Sequence, residues 1–126
     1  MDLSIRDNLD TEFQLQNVIN ADKQAVAKIV SHPLCHFGAS DAGAHITQFC
    51  GTGDTSHLLQ HYVRETSTFS LEEAIHKMTL LPAQAMGLKD RGRIAEGYKA
   101  DLTIFDPNMV IDNATFEKPH QYSDGI

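Results

Sequence analysis

Phe37-Gly38-Ala39-Ser40-Asp41-Ala42-Gly43-Ala44-His45, entered from the short apolar run around Leu34, is the stretch whose reading decides the fold. It predicts a buried strand over 34–38 that runs into a turn of small residues, with the Asp41 carboxylate at the mouth. In α/β enzymes a carboxylate just beyond a strand's carboxyl end faces the region where chemistry sits. Upstream, apolar residues recur with helical character over 13–30, ending in Ala25, Val26, Ile29 and Val30, with Asp22 as N-cap of the second half and Pro33 as the stop. Helix, short loop, strand is the αβ step of a repeating βα architecture. The chain is therefore expected to be α/β.

Working downstream, a polar, glycine-containing segment (47–53) precedes a helix beginning near Asp54 or Thr55, with Leu58, Leu59, Tyr62 and Val63 on one face. Ser70-Leu71-Glu72-Glu73 reads as a capping box, in which serine hydroxyl and glutamate carboxylate satisfy each other's orphan backbone donors. Leu71, Ala74, Ile75 and Met78 then form a core-facing stripe. Pro82 fits the first turn of a short helix over 82–86, closed by Gly87. Beyond Leu88 the period shortens: 93–95 and 101–105 read as two strands joined by the turn Glu96-Gly97-Tyr98-Lys99, with Pro107 ending the second. Residues 1–12 and the polar tail after Pro107 carry weak patterning, and no internal repeat is visible.

The bulk numbers suit one soluble domain. The chain has 126 residues, 41% hydrophobic and 21% charged, with ten basic against seventeen acidic residues for a formal charge of −7. An acidic balance spread along the chain argues against a nucleic-acid surface or an anionic membrane face. No stretch approaches the roughly 18 apolar residues of a membrane span, and the charged start Met1-Asp2-Leu3-Ser4-Ile5-Arg6-Asp7 is unlike a secretory signal. Cytoplasmic residence is the expectation. Cys35 and Cys50 permit one disulfide by arithmetic, but Cys35, in an expected buried strand, reads as a reduced packing residue. Asn113-Ala114-Thr115 matches a glycosylation sequon, which in that compartment is chance.

The order of these pieces resembles the amidohydrolase superfamily, and within it the N-acyl-D-amino-acid deacylase (D-aminoacylase-like) branch. The resemblance is carried by Ser40-Asp41-Ala42-Gly43-Ala44-His45, His61-Tyr62-Val63-Arg64-Glu65, Ser70 through Thr79, Leu81-Pro82-Ala83-Gln84-Ala85-Met86-Gly87-Leu88, Asp90-Arg91-Gly92-Arg93-Ile94 and Ala100 through Pro107. It implies the C-terminal part of a metal-dependent hydrolase (β/α)8 barrel: last strand and outer helices over 1–88, and over 89–126 part of a small β-domain built from both chain ends. It implies zinc-dependent hydrolysis of an amide bond in an N-acyl-D-amino acid or a similar linear amide. Asp41 matches the family's aspartate at the end of barrel strand 8, a general base toward the hydrolytic water that in some members also touches the metal. The chemistry is sound on its own terms: zinc lowers the pKa of bound water toward neutrality, and a nearby carboxylate can carry the proton to the leaving amine.

Most of such a metal site comes from earlier strands, including a His-x-His pair, and none of the seven histidines here has that spacing. A complete barrel also needs roughly 250 residues. The chain thus reads as a fragment, an excised segment or a truncated product, inactive alone and without zinc of its own. The alternative is a non-catalytic oligomerising or interaction module derived from such an enzyme. Without the resemblance, Asp41 would read as a turn aspartate bonding its own backbone. His45 reads equally as a substrate-pocket residue or an exposed loop histidine. Arg64, weighed as a binder of a substrate carboxylate, reads rather as a surface or capping ion pair with Glu65 or its neighbours, and Asp101 as a turn or structural hydrogen-bonding group. Cys35, His36, Asp41, His45 and Cys50 lie close in sequence but lack the spacing of a structural zinc site.

A lone barrel strand has two unpaired edges and apolar faces, an association-prone surface. The isolated chain is accordingly expected to be a homo-oligomer with 34–38 or its flanking helices at the interface. Light scattering should give a mass of at least two copies, and a well-folded monomer at high concentration contradicts this.

Overall fold

A computed structural model of the chain describes residues 5–8, 10–11, 19–40, 53–115 and 117–125. The expected helical residues 13–18, the turn carrying Asp41 and His45, and Cys50 lie outside the described residues.

Helix α1 spans Lys23–Ser31 and starts where expected, with the Asp22 carboxylate accepting from the amides of Gln24 and Ala25, both at 3.0 Å. It ends at His32, whose extended backbone (φ −61°, ψ 135°) is what a residue before proline adopts, since the ring of Pro33 crowds the helical conformation. Helix α2, Asp54–His57, passes directly into a π-helix over Leu58–Glu65, so the expected amphipathic helix is present with a wider second half. The amide of Thr66 closes it by bonding the carbonyl of His61, five residues back, at 2.9 Å. Helix α3, Leu71–Met78, carries the capping box: Glu73 N to Ser70 Oγ at 3.2 Å and Ser70 N to Glu73 Oε2 at 2.9 Å.

Helix α4 spans Leu80–Ala85, two residues earlier than read, and holds Pro82 in its first turn, where no intrahelical donor is missed. Its end is a Schellman closure. Gly87 (φ +72°) donates to Gln84 at 3.0 Å, and Leu88 donates to Ala83 at 2.8 Å.

The core is compact and assembled from both halves of the chain. Leu58, Leu59, Phe69, Ala74 and Val110 are buried together, with Val30, Phe37, Tyr62, Val63, Leu71, Ile75, Met78 and Phe105 packed against them. The apolar stripes read on the helices are thus the faces that meet. No helix among the described residues is long and apolar enough to cross a membrane.

The expected strands differ. Among the described residues, β-pairing is limited to an isolated antiparallel bridge between Ile111 and Asp124, and 34–38, 93–95 and 101–105 join no ladder. Cys35 is consequently half-buried in an irregular segment rather than within a strand. Strand character needs neighbouring backbone at hydrogen-bonding distance, and an alternating sequence cannot supply its own. Charges close the loop that replaces the hairpin. Arg91 pairs with Asp101, Lys99 with Asp90 at 3.3 Å, and the Arg93 guanidinium lies 4.7 Å from the Tyr98 ring centre. Gly92 (φ +85°) seats that loop against α4, where a Cβ would lie 2.8 Å from the Cα of Leu80.

Substitution should separate core from cap. Leu58→Ala, at a side chain only 2% exposed, is expected to cost about 2–5 kcal/mol. Ser70→Ala should cost about 1 kcal/mol through the lost cap. Urea unfolding of the two variants checks the ranking.

Candidate functional site

Residues 32–40 lead directly into Asp41, and their path is fixed from one side. Lys77, on α3, is only 7% exposed, yet its ammonium donates to the carbonyls of His32 at 2.8 Å and Cys35 at 2.7 Å. The amide of Phe37 in turn donates to the Lys77 carbonyl at 3.3 Å. The Phe37 ring meets buried Phe69 edge-on, with centroids 6.4 Å apart. His36, adjacent but exposed, has Nδ1 at 3.1 Å from the Phe37 carbonyl, which can only accept, so Nδ1 carries the proton.

From Gly53 the described chain runs through α2 and the π-helix, which gather aromatic and titratable groups. His57 and His61 stack with ring centres 5.2 Å apart and planes 18° from parallel, and Tyr62 packs edge-on against both. His61 Nδ1 lies 3.0 Å from Glu65 Oε2. A carboxylate can only accept there, which leaves Nε2 as the free lone pair of a neutral His61. Gln60 donates to the other Glu65 oxygen at 2.8 Å and accepts from the amide of Asp112 at 2.9 Å. His57, His61 and Tyr62 line a cleft of about 620 Å³ together with Lys23, Gln24, Val26 and Ala27 of α1 and with Thr66 and Thr68.

Burial pushes the His57 imidazole below its ordinary value, and the neighbouring His61 adds to this, against weaker opposing effects of Asp112 and Glu65. The hydrogen bond from His61 lowers the Glu65 carboxyl, helped by Gln60.

The remaining residues singled out from sequence fall as follows. Asp41 and His45 lie outside the described residues. Arg64 does not serve as a surface ion pair: half-buried, it donates through one guanidinium nitrogen to the carbonyls of Pro107 at 3.0 Å and Val110 at 2.7 Å. Asp101 sits in the exposed pair with Arg91. Sequence reasoning passed over Lys77, which looked like a polar member of an amphipathic helix, and the His57/His61 stack, whose i, i+4 spacing was the available signal. Among the described residues no group of three or more His, Cys, Asp or Glu side chains is arranged to hold a metal ion. The described residues therefore do not by themselves fit a metal centre.

Comparison with known proteins agrees with this frame. The Amidohydrolase family model matches residues 5–126. The chain is 45% identical over 109 residues to an N-acyl-D-aspartate deacylase of Alcaligenes xylosoxydans xylosoxydans, covering 83% of this chain and 21% of that protein. An N-acyl-D-glutamate deacylase of the same organism is 40% identical over 109 residues, covering 83% of this chain and 22% of the relative. A solved D-aminoacylase structure, from work on the functional role of its binuclear metal centre, superimposes with a TM-score of 0.54 at 46% identity, covering 56% of this chain and 15% of that one. The chain belongs to the amidohydrolase family. It spans about a fifth of the length of the curated relatives it matches.

Because His57 is held below its ordinary value of 6.5, the unfolded chain takes up its proton more readily than the folded one. Its contribution to stability is full above that value and is lost as pH falls through it. Glu65, shifted the other way from the standpoint of charge, contributes above its ordinary 4.5 and loses that only in stronger acid. Urea midpoints should therefore fall as pH is lowered from about 7.5 to about 5.5, and His57→Gln should flatten that dependence.

Proposed function

We propose that this chain is the C-terminal portion of a metal-dependent deacylase that hydrolyses the amide bond of N-acyl-D-amino acids, with Asp41 as its proton carrier. In this reading 1–88 supply the end of a barrel and 89–126 part of a β-domain. The observation that carries it is the 45% identity over 109 residues to an N-acyl-D-aspartate deacylase, a stretch long enough to take in most of this chain. In the sequence Asp41 directly follows the segment 32–40, which Lys77 of α3 ties down through the carbonyls of His32 and Cys35.

The chemistry asked of this chain is modest. The Asp41 carboxylate takes a proton from the attacking water and returns it to the departing amine nitrogen, which would otherwise leave as a poor anion. Ala42, Gly43 and Ala44 give that carboxylate small neighbours, so a substrate can approach. A metal, held chiefly by residues of earlier barrel strands with Asp41 as a candidate contact, would polarise the amide carbonyl and acidify the water. His45 is the candidate for contact with the substrate, four residues after the base. Oligomerisation through the open faces of 34–38 belongs to the same proposal.

The test is a chimera in which this chain replaces the segment it aligns with in the Alcaligenes N-acyl-D-aspartate deacylase. The chimera is expected to deacylate N-acyl-D-amino acids, whereas residues 1–126 alone should not. Asp41→Asn should lower kcat by about 10²–10⁴ with the fold intact by circular dichroism. A folded, metal-loaded chimera without activity, or an Asp41→Asn chimera with full activity, overturns the reading.

A further inference from the structure

We infer that His57 and His61 form an exchangeable site for a divalent transition-metal ion of the zinc or copper kind, built without Asp41 and independent of the deacylase reading. Its parts are two imidazoles one helical turn apart, a carboxylate that orients one of them, and a cleft that both rings line.

Histidines at i and i+4 lie on one face of a helix, the spacing by which a helix presents two nitrogens to one zinc ion. Here the pair falls where α2 passes into the π-helix, and the two ring centres are 5.2 Å apart. With zinc–nitrogen bonds of about 2.0–2.1 Å at a tetrahedral angle, two imidazoles on one ion have centres about 5 Å apart. The spacing therefore asks for no movement of the helix. The rings are within 18° of parallel, so a turn of one of them aims both lone pairs at a common point. His57 keeps enough solvent-facing surface to make that turn, and the χ2 torsion of histidine is broad.

His61 is already oriented. Its Nδ1 proton goes to Glu65 at 3.0 Å, which leaves Nε2 to coordinate, and Glu65 is itself held by Gln60 at 2.8 Å. A carboxylate on the other ring nitrogen is the usual support of a metal-binding histidine, fixing its tautomer and raising its basicity. Partial desolvation keeps the His57 imidazole neutral to lower pH than usual, which removes the proton that competes with a metal. Asp112 and Glu65 bring negative charge toward His57, and Lys23, the cation on the cleft from α1, is exposed on a long stem that reaches water. Among the described residues no third histidine, cysteine or carboxylate joins the set. Two ligands fall short of a resident centre of three or four, so the other positions belong to water and the ion exchanges. Imidazole suits copper, nickel and zinc, whereas magnesium and calcium prefer oxygen.

The test uses the 126-residue chain and zinc chloride alone. In ¹H–¹⁵N spectra of the histidine rings, His57 and His61 should shift together and saturate at one equivalent, while His32, His36, His76 and His120 stay in place. Zinc raised to about 1 mM that moves neither ring, or one without the other, overturns the proposal with no variant having to fold. By calorimetry, His57→Gln and His61→Gln should each weaken binding by about tenfold or more, and Glu65→Gln by about tenfold. Copper should bind more tightly than zinc, and magnesium should not compete. Asp41→Asn should leave the affinity as it is. Unchanged affinity in either histidine variant, or loss of binding in Asp41→Asn, overturns the site. A chimera without deacylase activity overturns the deacylase reading and leaves this one standing, since the metal is measured on the chain by itself.

Discussion

Backbone carbonyls without a strand partner are the constraint around which this molecule is organised. A segment that enters a core must satisfy its polar backbone, and a sheet is the usual way to do it. Here the described residues offer one isolated bridge, so long side chains take over the task. Lys77 reaches the carbonyls of His32 and Cys35, and Arg64 reaches those of Pro107 and Val110. Each cation joins chain more than forty residues apart, one to the stretch before Asp41 and one to the tail. Between them lie Phe69, Ala74, Leu58 and Val110, the driest part of the molecule. Among the described residues no buried side-chain nitrogen or oxygen is left without a partner.

The helices were legible because their signals are local. Asp22, Ser70 with Glu73, and Gly87 each satisfy or release backbone within a few residues of themselves, and each acts in the structure as its type and position foretold. The π-helix was not legible. Leu58, Leu59, Tyr62 and Val63 suit a period of 3.6 as well as a wider one, and composition does not separate the two. What distinguishes them is contact geometry: Gln60 bonds Glu65 across five residues, a spacing the wider turn brings together. The strands failed for the opposite reason. Alternation over 101–105 reports a preference for pairing, but a ladder is a property of two chains of backbone, and the second is not beside it.

The site divides in the same way. The small-residue stretch around Asp41 reads as a place for chemistry because glycine and alanine leave room there, and it lies outside the described residues. The residues that hold the neighbouring segment 32–40 were not legible. Lys77 is written into α3 as one more polar position, and only the fold reveals that it points inward to carbonyls from the other end of the chain. Arg64 misleads likewise: beside Glu65 in sequence it suggests an ion pair, yet Glu65 is engaged by Gln60 and His61 and the guanidinium turns to the tail. Nearest neighbours in sequence are poor guides to partners for long side chains, which choose among everything within several ångströms.

Leu34 is 85% exposed, Ile94 88% and Ile104 91%, all on segments with strand-like composition and no ladder. Exposed hydrophobes occur on the helical side too, Ile29 of α1 at 62% and Met86 at the end of α4 at 78%. On the segments outside any ladder, exposed apolar side chains coincide with backbone that has no strand partner, and a neighbouring strand would cover the one and bond the other. Lys77 bonds carbonyls on either side of Leu34, at His32 and Cys35, and Arg64 bonds those of Pro107 and Val110, just beyond 101–105. Both cations act on backbone and leave the exposed side chains of Leu34, Ile94 and Ile104 available to a pairing strand.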